Sequence, residues 1–526
     1  MDSNPDVLVI GLGPVGAAFA ALCAQSGLSV CVVERDTAVY RLPRAVAMDH
    51  EVLRQVGMIG VADAVVAASR PSYGYEFVNK DDEILVARYQ SELAPTGYHF
   101  ANMFHQPSFE AAMRARLAEL PGVSVNLGWE VTAIQQNRRG VTATVETPDG
   151  PRTLTARYAV GCDGGRSIVR RTLGAGMIDL GFDEPWLVVD VTLADGVEVI
   201  SDKGRQLCDP ERPTTSTQSG PGRHRWEFML RPDESAEEVT RPESIRQRIS
   251  RWVDPDTVTI ERSAVYQFHG LVAESWRDGN IIIIGDAAHQ MPPFLGQGLC
   301  SGVRDAFNLA WKLVAVLRDE ADESLLDTVQ TERSPHVMAI TEAAIALGKI
   351  VCITDPVAAS ERDRQFRADR DAGKPPPFPK MPNIDHGVLD DDVGGRVLPE
   401  GFAQALEPTD ETLTRIDEIA GYKPLFIVAD AEALSQQDRD AIDGLRASTS
   451  DMVFCCLTGA GADFISLLDT NGHIRAMLNG ATALLAKPDR IVFGRGSAAA
   501  LATAWADYLG GHPFLNENCA RRQQKA

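Results

Sequence analysis

The sequence predicts an α/β protein in three parts: a nucleotide-binding parallel sheet, a mostly antiparallel sheet inserted into it, and a third α/β unit at the C-terminus. Three observations predict this. Asp6 to Gln25 reads DVLVIGLGPVGAAFAALCAQ, an apolar run (Val7 to Ile10) that passes through Gly11-x-Gly13-x-x-Gly16 into a small-residue helix. Residues 186 to 270 change to strands with long polar connections. Ile281 to Ile284 then forms a wholly apolar strand followed by Gly285-Asp286, as buried parallel strands do.

The first strand–turn–helix sets the frame. Gly11 permits the tight turn, Gly13 lets backbone approach a pyrophosphate, and Gly16 allows close helix–strand packing. Pro14 and Val15 open the helix, whose free N–H groups favour phosphate. The next strand, Leu28 to Val33, ends at Glu34 with Arg35 behind it, and Glu34 stands at the right distance for a ribose hydroxyl. A lone glycine fingerprint is weak. Strand before, helix after and acid beyond make it a dinucleotide site.

Arg44 follows a proline at the mouth of that site, where it can reach a phosphate or lie solvated, and Met48 to Met58 reads as a short helix. Residues 70 to 100 (Tyr73, Tyr75, Phe77; Ile84 to Tyr89) read as an excursion towards a substrate region. A helix begins near Pro107 with Gln106 at its entry. Period-two alternation predicts strands at Val123 to Leu127, Glu130 to Ile134, Val141 to Glu146 and Arg152 to Ala156. Tyr158 to Val160 leads into Asp163-Gly164, with Ser167 and Arg170 on the next helix. After the inserted sheet (WLVVDVTL, RHRWEFML, VTIERSAVYQF), Ser301 to Leu317 carries Val303, Phe307, Ala310, Trp311, Val314 and Leu317 on one helical face.

AGKPPPFPKMP predicts a stiff, extended linker that packs no core. Beyond it, LFIVAD, a helix near Ser435 to Ser448, DMVFCCL, ISLLDTNG, KPDRIVFG and a closing helix to Leu509 resemble a thioredoxin-like module. It lacks CxxC, so disulfide chemistry is not expected there, and GAGAD at Gly459 reads as a turn. The expected boundaries are 1–175 and 277–372 for the nucleotide domain, 176–276 for the inserted sheet, 373–390 for the linker and 391–526 for the last unit.

A chain of 526 residues has room for two or three domains. Its net charge of −22 argues against nucleic acid or an anionic membrane as partner, since both call for basic surface. No apolar run approaches the roughly 18 residues of a spanning helix, and MDSNPD has no signal-peptide pattern. The nine scattered cysteines fit buried, reduced thiols in a cytoplasmic protein, and no metal-ligand spacing is present.

GLGPVG with Glu34, Asp163-Gly164, and Gly285-Asp286 followed by PPFLGQG together resemble the flavoprotein aromatic hydroxylases, the single-component FAD monooxygenases of the para-hydroxybenzoate and phenol hydroxylase type. The likeness covers roughly residues 5 to 340, and the C-terminal unit resembles the tail of the phenol-hydroxylase branch. QLCDPERPTT, RHRWEFML, FHGLVAESWRDG, GDAAHQMPPFLGQGLCSGVRDAFNLAWKL and KPDRIVFG look most like 3-(3-hydroxyphenyl)propionate hydroxylases, a subfamily that also tends to carry Cys at position 300.

The resemblance implies a Rossmann-like FAD-binding domain of the glutathione-reductase type, an inserted substrate-binding sheet, and NADPH or NADH as a transient co-substrate; there is no second glycine fingerprint for a resident nicotinamide. It implies a phenolic substrate, molecular oxygen, a flavin C4a-hydroperoxide, and a monomer or homodimer in aromatic catabolism. The cofactor positions carried over are Gly11, Gly13, Pro14, Val15, Gly16, Glu34, Arg35, Arg44, Gln106, Val131, Asp163, Gly285, Asp286, Pro293, Gly296, Gly298 and Leu299. Asp286 would accept ribityl hydroxyls, Gly296 and Gly298 would bring N–H groups to the flavin pyrimidine edge, and Pro292 and Pro293 would wall the reactive ring. Asp163 and Arg170 are the positions linked to both FAD and nicotinamide.

The catalytic candidates are Arg44, Pro293, Tyr266 and His269, with His50, His99, His105 and His289 as further histidines. Arg225 and Pro292 are the substrate candidates, with Arg223 beside them. Two other readings share these motifs: a tailoring hydroxylase for a larger phenolic or polyketide scaffold, and a flavin-binding protein without turnover. The tryptophan-rich WxWxIP of flavin halogenases is absent.

Overall fold

The computed structural model describes residues 4–39, 44–199, 203–376, 378–389, 393–403, 413–449, 451–459 and 463–510. Val7–Ile10 lies at the middle of a sheet with six described strands, between Tyr158–Gly161 and Val30–Glu34, and both pairings are parallel. Ile281–Ile283 adds parallel to Tyr158–Gly161, and Val123–Leu127 adds parallel to Val30–Glu34. All four residues of the first strand are shielded, because helices cover one face of the sheet and the three-stranded antiparallel sheet Glu130–Asn137, Gly140–Glu146, Arg152–Ala156 packs on the other. Pro14–Gln25 and Gly298–Leu317 pack on it, and their small residues allow close approach.

Gly298–Leu317 differs from the one-sided helix its apolar spacing predicts. Its opposite side is buried as well, with Ser301, Arg304, Asp305, Asn308 and Lys312 all shielded from solvent. A buried charge must be paired, and each of the four charged or amide groups is. Arg304 Nε donates to Glu51 at 2.7 Å and its Nη1 to Gln297 at 3.0 Å. Asn308 and Lys312 reach Glu332 at 2.8 and 3.0 Å.

The inserted sheet has eight described strands, in the order His289–Gln290, Val258–Ala273, Met177–Leu193, Arg223–Met229, Thr214–Gln218, Gly204–Leu207, Gly74–Val78, Ile84–Tyr89. The pairings are antiparallel except for Gly204–Leu207 on Gly74–Val78, so the excursion at 70–100 supplies the sheet's far edge. One face carries Leu187, Val189, Val191, Trp226 and Phe228 and packs on the helices at Ala236–Val239 and Pro242–Ile249. The other faces the loop that follows Ile281–Ile283, where Trp186 meets Phe294 edge-on at 5.6 Å.

Met48 falls in a short strand, Ala47–Asp49, and the helix starts only at His50, capped by Asp49 accepting from the Val52 N–H at 3.0 Å. The expectation that the proline-rich segment packs no core is also corrected. Phe378 meets Phe77 edge-on at 5.5 Å, and Ile384 and Val388 are buried.

The C-terminal unit holds a sheet of seven described strands with Val453–Cys456 at its centre; Leu425–Val428 beside it pairs parallel to it and antiparallel to Ala483–Ala486. It docks through Trp505 stacked on Trp311 at 5.7 Å and through Lys487, whose Nζ lies 3.0 Å from Glu332. The GAGAD turn lies mostly outside the described residues, as do residues 511–526.

Candidate active site

Three loops at the carboxyl ends of the parallel strands form a cradle. The first is Gly11–Gly16. A Cβ on Gly16 would stand 2.1 Å from the Gly11 carbonyl oxygen, and one on Gly11 would stand 2.5 Å from that of Cys162. Gly11 also has φ +100°, which a side chain would strain. Gly13, by contrast, faces open space. The loop is therefore closed against protein and open only where a phosphate would lie. Pro14 starts the helix, and Val15 wedges against Gly285 and Gly302.

Glu34 ends the second strand beside this loop: its carboxylate accepts from Leu12 N–H at 2.7 Å and Asp36 N–H at 2.9 Å. Arg35 is exposed, and Val131 is a core residue opposite Val145.

The second loop turns at Asp163. Its carboxylate accepts from Ser167 Oγ at 2.5 Å and from Ile168 N–H at 2.6 Å, capping the helix Ile168–Leu173. Arg170 crosses to the third loop, donating to Ala287 O at 2.8 Å and Gly165 O at 2.6 Å. Asp163 and Arg170 thus lock two loops together.

The third loop begins at Gly285, φ +62°, whose N–H donates to Asp305 at 3.1 Å. The same buried carboxylate meets His289 Nε2 at 2.6 Å and Arg333 Nε at 2.8 Å. Burial alone would raise the Asp305 pKa, but His289 and Arg333 hold it below the usual carboxylate range. Asp286 is left half-exposed beside Arg44, whose Nη1 lies 4.0 Å away. Pro292 is buried, Pro293 starts a single helical turn, and Gly296 ends it at φ +64°. Gly298 and Leu299 then open the long helix, whose first N–H groups lack intrahelical partners and carry its positive end.

Gln106 joins Arg44 to this cradle, its Oε1 accepting from the Arg44 and Ala45 N–H groups at 2.9 and 2.7 Å. Arg225 Nη1 donates to the Arg44 carbonyl at 2.7 Å. Arg225 was expected to offer its charge to a substrate carboxylate. Instead it is buried and forked onto Asp190 at 2.7 and 2.9 Å. Arg223 is likewise paired, with Glu261.

Tyr266 and His269, expected as possible relays, lie on opposite faces of one regular strand, because an odd separation reverses the side chain. Tyr266 shares the chamber face with Arg262, stacked 4.5 Å from its ring centre. His269 is on the back, 3.2 Å from Asp183 and partly exposed. His50 bonds Thr96 at 3.1 Å, and His105 bonds Ser108 at 2.8 Å.

A cavity of about 290 Å³ opens between the third loop at Leu295 to Gln297, the strand at Ala47 to Asp49, the buried Arg304 and Arg333, the proline-rich segment at 379–384 and Asp489 of the C-terminal unit, with Arg88 of the inserted sheet also in its wall. Sequence reading missed Asp305, Asp190 and Glu227, all buried and all built into or beside this site. Charged residues at buried-face positions of an apolar helix or strand were the available signal.

The FAD binding domain family matches residues 4–344. A probable NADH-specific resorcinol 4-hydroxylase of Rhodococcus jostii is 39% identical over 432 residues, 82% of this chain and 80% of that protein. A 3-(3-hydroxy-phenyl)propionate/3-hydroxycinnamic acid hydroxylase of Mycolicibacterium smegmatis is 35% identical over 367 residues, 69% of this chain and 64% of that protein. The fold matches the flavin-dependent monooxygenase PieE in complex with FAD and substrate, with TM-score 0.79 and 20% identity over 97% of this chain and 99% of that one. With the cradle closed against protein and open for a dinucleotide, these matches place the chain in the FAD binding domain family, among the FAD-dependent aromatic hydroxylases.

Proposed function

We propose that this chain uses FAD, NADH and molecular oxygen to add one hydroxyl group to the ring of a small phenol, a dihydroxybenzene such as resorcinol or a 3-hydroxyphenyl acid. The observation that carries the reading is the convergence of three loops on one cradle whose open face meets the polar side of the inserted sheet. The relative specific for NADH supports that donor over NADPH.

In this reading Gly11, Gly13 and the start of the Pro14–Gln25 helix hold the pyrophosphate, Glu34 the ribose, and Asp286 the ribityl chain. The first N–H groups of Gly298–Leu317 face the pyrimidine edge and stabilise negative charge there. Bound FAD supplies hydride acceptance and oxygen activation. The protein orients the ring between Arg44 and Pro293, shields it with Trp186 and Phe294, and holds the substrate dry on the sheet face. The C-terminal sheet, with its parallel centre pair and antiparallel flank, supports a thioredoxin-like reading. The eight cysteines among the described residues form no disulfide, which supports a reducing, cytoplasmic setting.

The test is the FAD-loaded protein with NADH and a panel of resorcinol, 3-(3-hydroxyphenyl)propionate and a multi-ring phenol. Resorcinol or the propionate should stimulate NADH oxidation and oxygen uptake most. Absence of stimulation by every phenol would overturn the reading, and stimulation by the multi-ring phenol alone would transfer it to a tailoring hydroxylase.

A further inference from the structure

We propose that Glu227 takes up the proton of the phenol while Gln206 Nε2 donates to the phenolate oxygen so formed. The inference rests on the reading of a phenolic substrate above and assigns the deprotonating site that the expected candidates, Tyr266 and His269, do not build.

The register places the row. Glu227 pairs with Thr215, and Thr215 with Gln206, so the three side chains share one face; Tyr75 joins them on the parallel strand beyond. This is the face of Trp186, opposite the apolar face that packs on Trp226 and Phe228. Glu227 stands between Arg225, which donates to the Arg44 carbonyl, and Met229, which pairs with Trp186. Trp186 in turn meets Phe294. Arg44 and Phe294 belong to the two segments that would flank the flavin ring in the reading above, so the row would face it.

Hydrogen-bond accounting singles out two groups. Gln206 Oε1 accepts from Tyr75 Oη at 3.1 Å and Thr215 Oγ1 at 3.0 Å. Its Nε2 is buried and has no partner among the described residues. A buried donor left so is costly unless a ligand supplies the acceptor. Thr215 has one proton, within reach of both Gln206 Oε1 and Glu227. Given to Glu227 it favours the ionised carboxylate. Given to Gln206 it leaves Thr215 Oγ1 as an acceptor for the Glu227 carboxyl once that has taken up a proton.

Charge balance agrees. The charged groups on this face are Arg225, at 3.7 Å from Glu227, Arg262, Asp190 and Glu227 itself, with Arg223 paired to Glu261 at one end, Glu184 beyond Trp186, Arg88 at the far edge and the phenols of Tyr75 and Tyr266. Arg225 and Arg262 are both turned towards Asp190. In that inner cluster two cations and two carboxylates balance when Glu227 is ionised. When the phenol O–H bond breaks, its electron pair stays on oxygen and the proton bonds to Glu227, so the negative charge moves to the substrate and the sum is unchanged. The proton returns to the product oxygen before release. Burial pushes the Glu227 carboxyl above the usual range although Arg225 pulls against it, the direction that suits a proton acceptor.

The experiment compares parent, Glu227→Gln, Glu227→Asp and Gln206→Leu as FAD-loaded proteins. Bound 4-nitrophenol reports ionisation by its phenolate absorbance, independently of turnover. The parent should show that band about one pH unit below free nitrophenol, and Glu227→Gln and Gln206→Leu should lose the shift. Product formed from resorcinol should fall about 100-fold in Glu227→Gln at neutral pH, but less than about threefold with a fluorinated phenol already ionised, and Glu227→Asp should recover part. Unchanged band and yield in an active Glu227→Gln would overturn the inference alone, as would equal losses with both phenols. If Glu227→Gln fails to hold FAD, Gln206→Leu decides by the same absorbance. A parent inert to every phenol would overturn the function reading and this inference with it.

Discussion

The nucleotide cradle and the chamber face of the inserted sheet recognise their ligands by opposite means. The cradle works by subtraction: Gly11 and Gly16 remove side chains where backbone lies 2.5 and 2.1 Å from a would-be Cβ, and the remaining space has one shape. The chamber face works by adding buried charge, with Asp190, Arg225, Glu227 and Arg262 all shielded and mutually paired. The first kind of site tolerates almost no substitution. The second trades in single protons and hydrogen bonds, and its replacements should be graded.

The largest effect is expected at Gly16. Gly16→Ala drives a methyl into the Gly11 carbonyl and should cost about 3 kcal/mol or more, with loss of bound FAD read by flavin absorbance. Retention of FAD at parental affinity would mean that the loop is not the close-packed cradle described. Next comes Arg225→Ala, which leaves Asp190 buried with only Arg262, 3.4 Å away. Removing one partner of a buried pair costs about 3–5 kcal/mol, and thermal melting of the purified variant should show it. A loss below about 1 kcal/mol would show that the pair is solvated.

The third expectation concerns pH. Burial would raise Glu332, but Lys312 and Lys487 hold it at about 2, and Asp49 is held at about 2 against burial by Arg304. Both lie below their unfolded values, so the unfolded chain binds more protons in acid. Their contribution is present above about pH 4.5 and is lost as pH falls towards about 2, on the order of 3 kcal/mol for each group. Melting followed from pH 6 to 3 should show this fall, and Glu332→Gln should flatten it. The smallest effect is expected at His269, on the back face with Asp183. His269→Ala should change stability by less than about 1 kcal/mol and leave the pH profile of turnover unmoved. A shifted profile would return His269 to the proton path.

The same contrast explains what was legible in the sequence. Val7 to Ile10, the glycine fingerprint, Glu34, Asp163 and Gly285-Asp286 each sit in a short run of strand, turn and helix, so spacing alone exposes them even where their contacts are distant, as those of Glu34 with Leu12 and Gly11 with Cys162 are. The strands at 130–137, 140–146 and 152–156 were equally open to period-two reading. Asp305 was not, because its partners His289 and Arg333 lie 16 and 28 residues away. Glu227 sits in RHRWEFML as one charge among strand residues, and only the register with Thr215 and Gln206 gives it meaning. Tyr266 and His269 drew attention as residue types, but which face each occupied was set by pairing with Met177–Leu193. The proline-rich stretch misled for a related reason: Phe378 finds its partner Phe77 some three hundred residues away.

The most direct measurement uses the FAD-loaded protein with NADH, resorcinol and ¹⁸O-labelled molecular oxygen, and weighs the product by mass spectrometry. One labelled oxygen atom in a trihydroxybenzene product is the predicted result. An unlabelled product, or NADH consumed to hydrogen peroxide with every phenol offered, would contradict the assignment of a ring-hydroxylating monooxygenase.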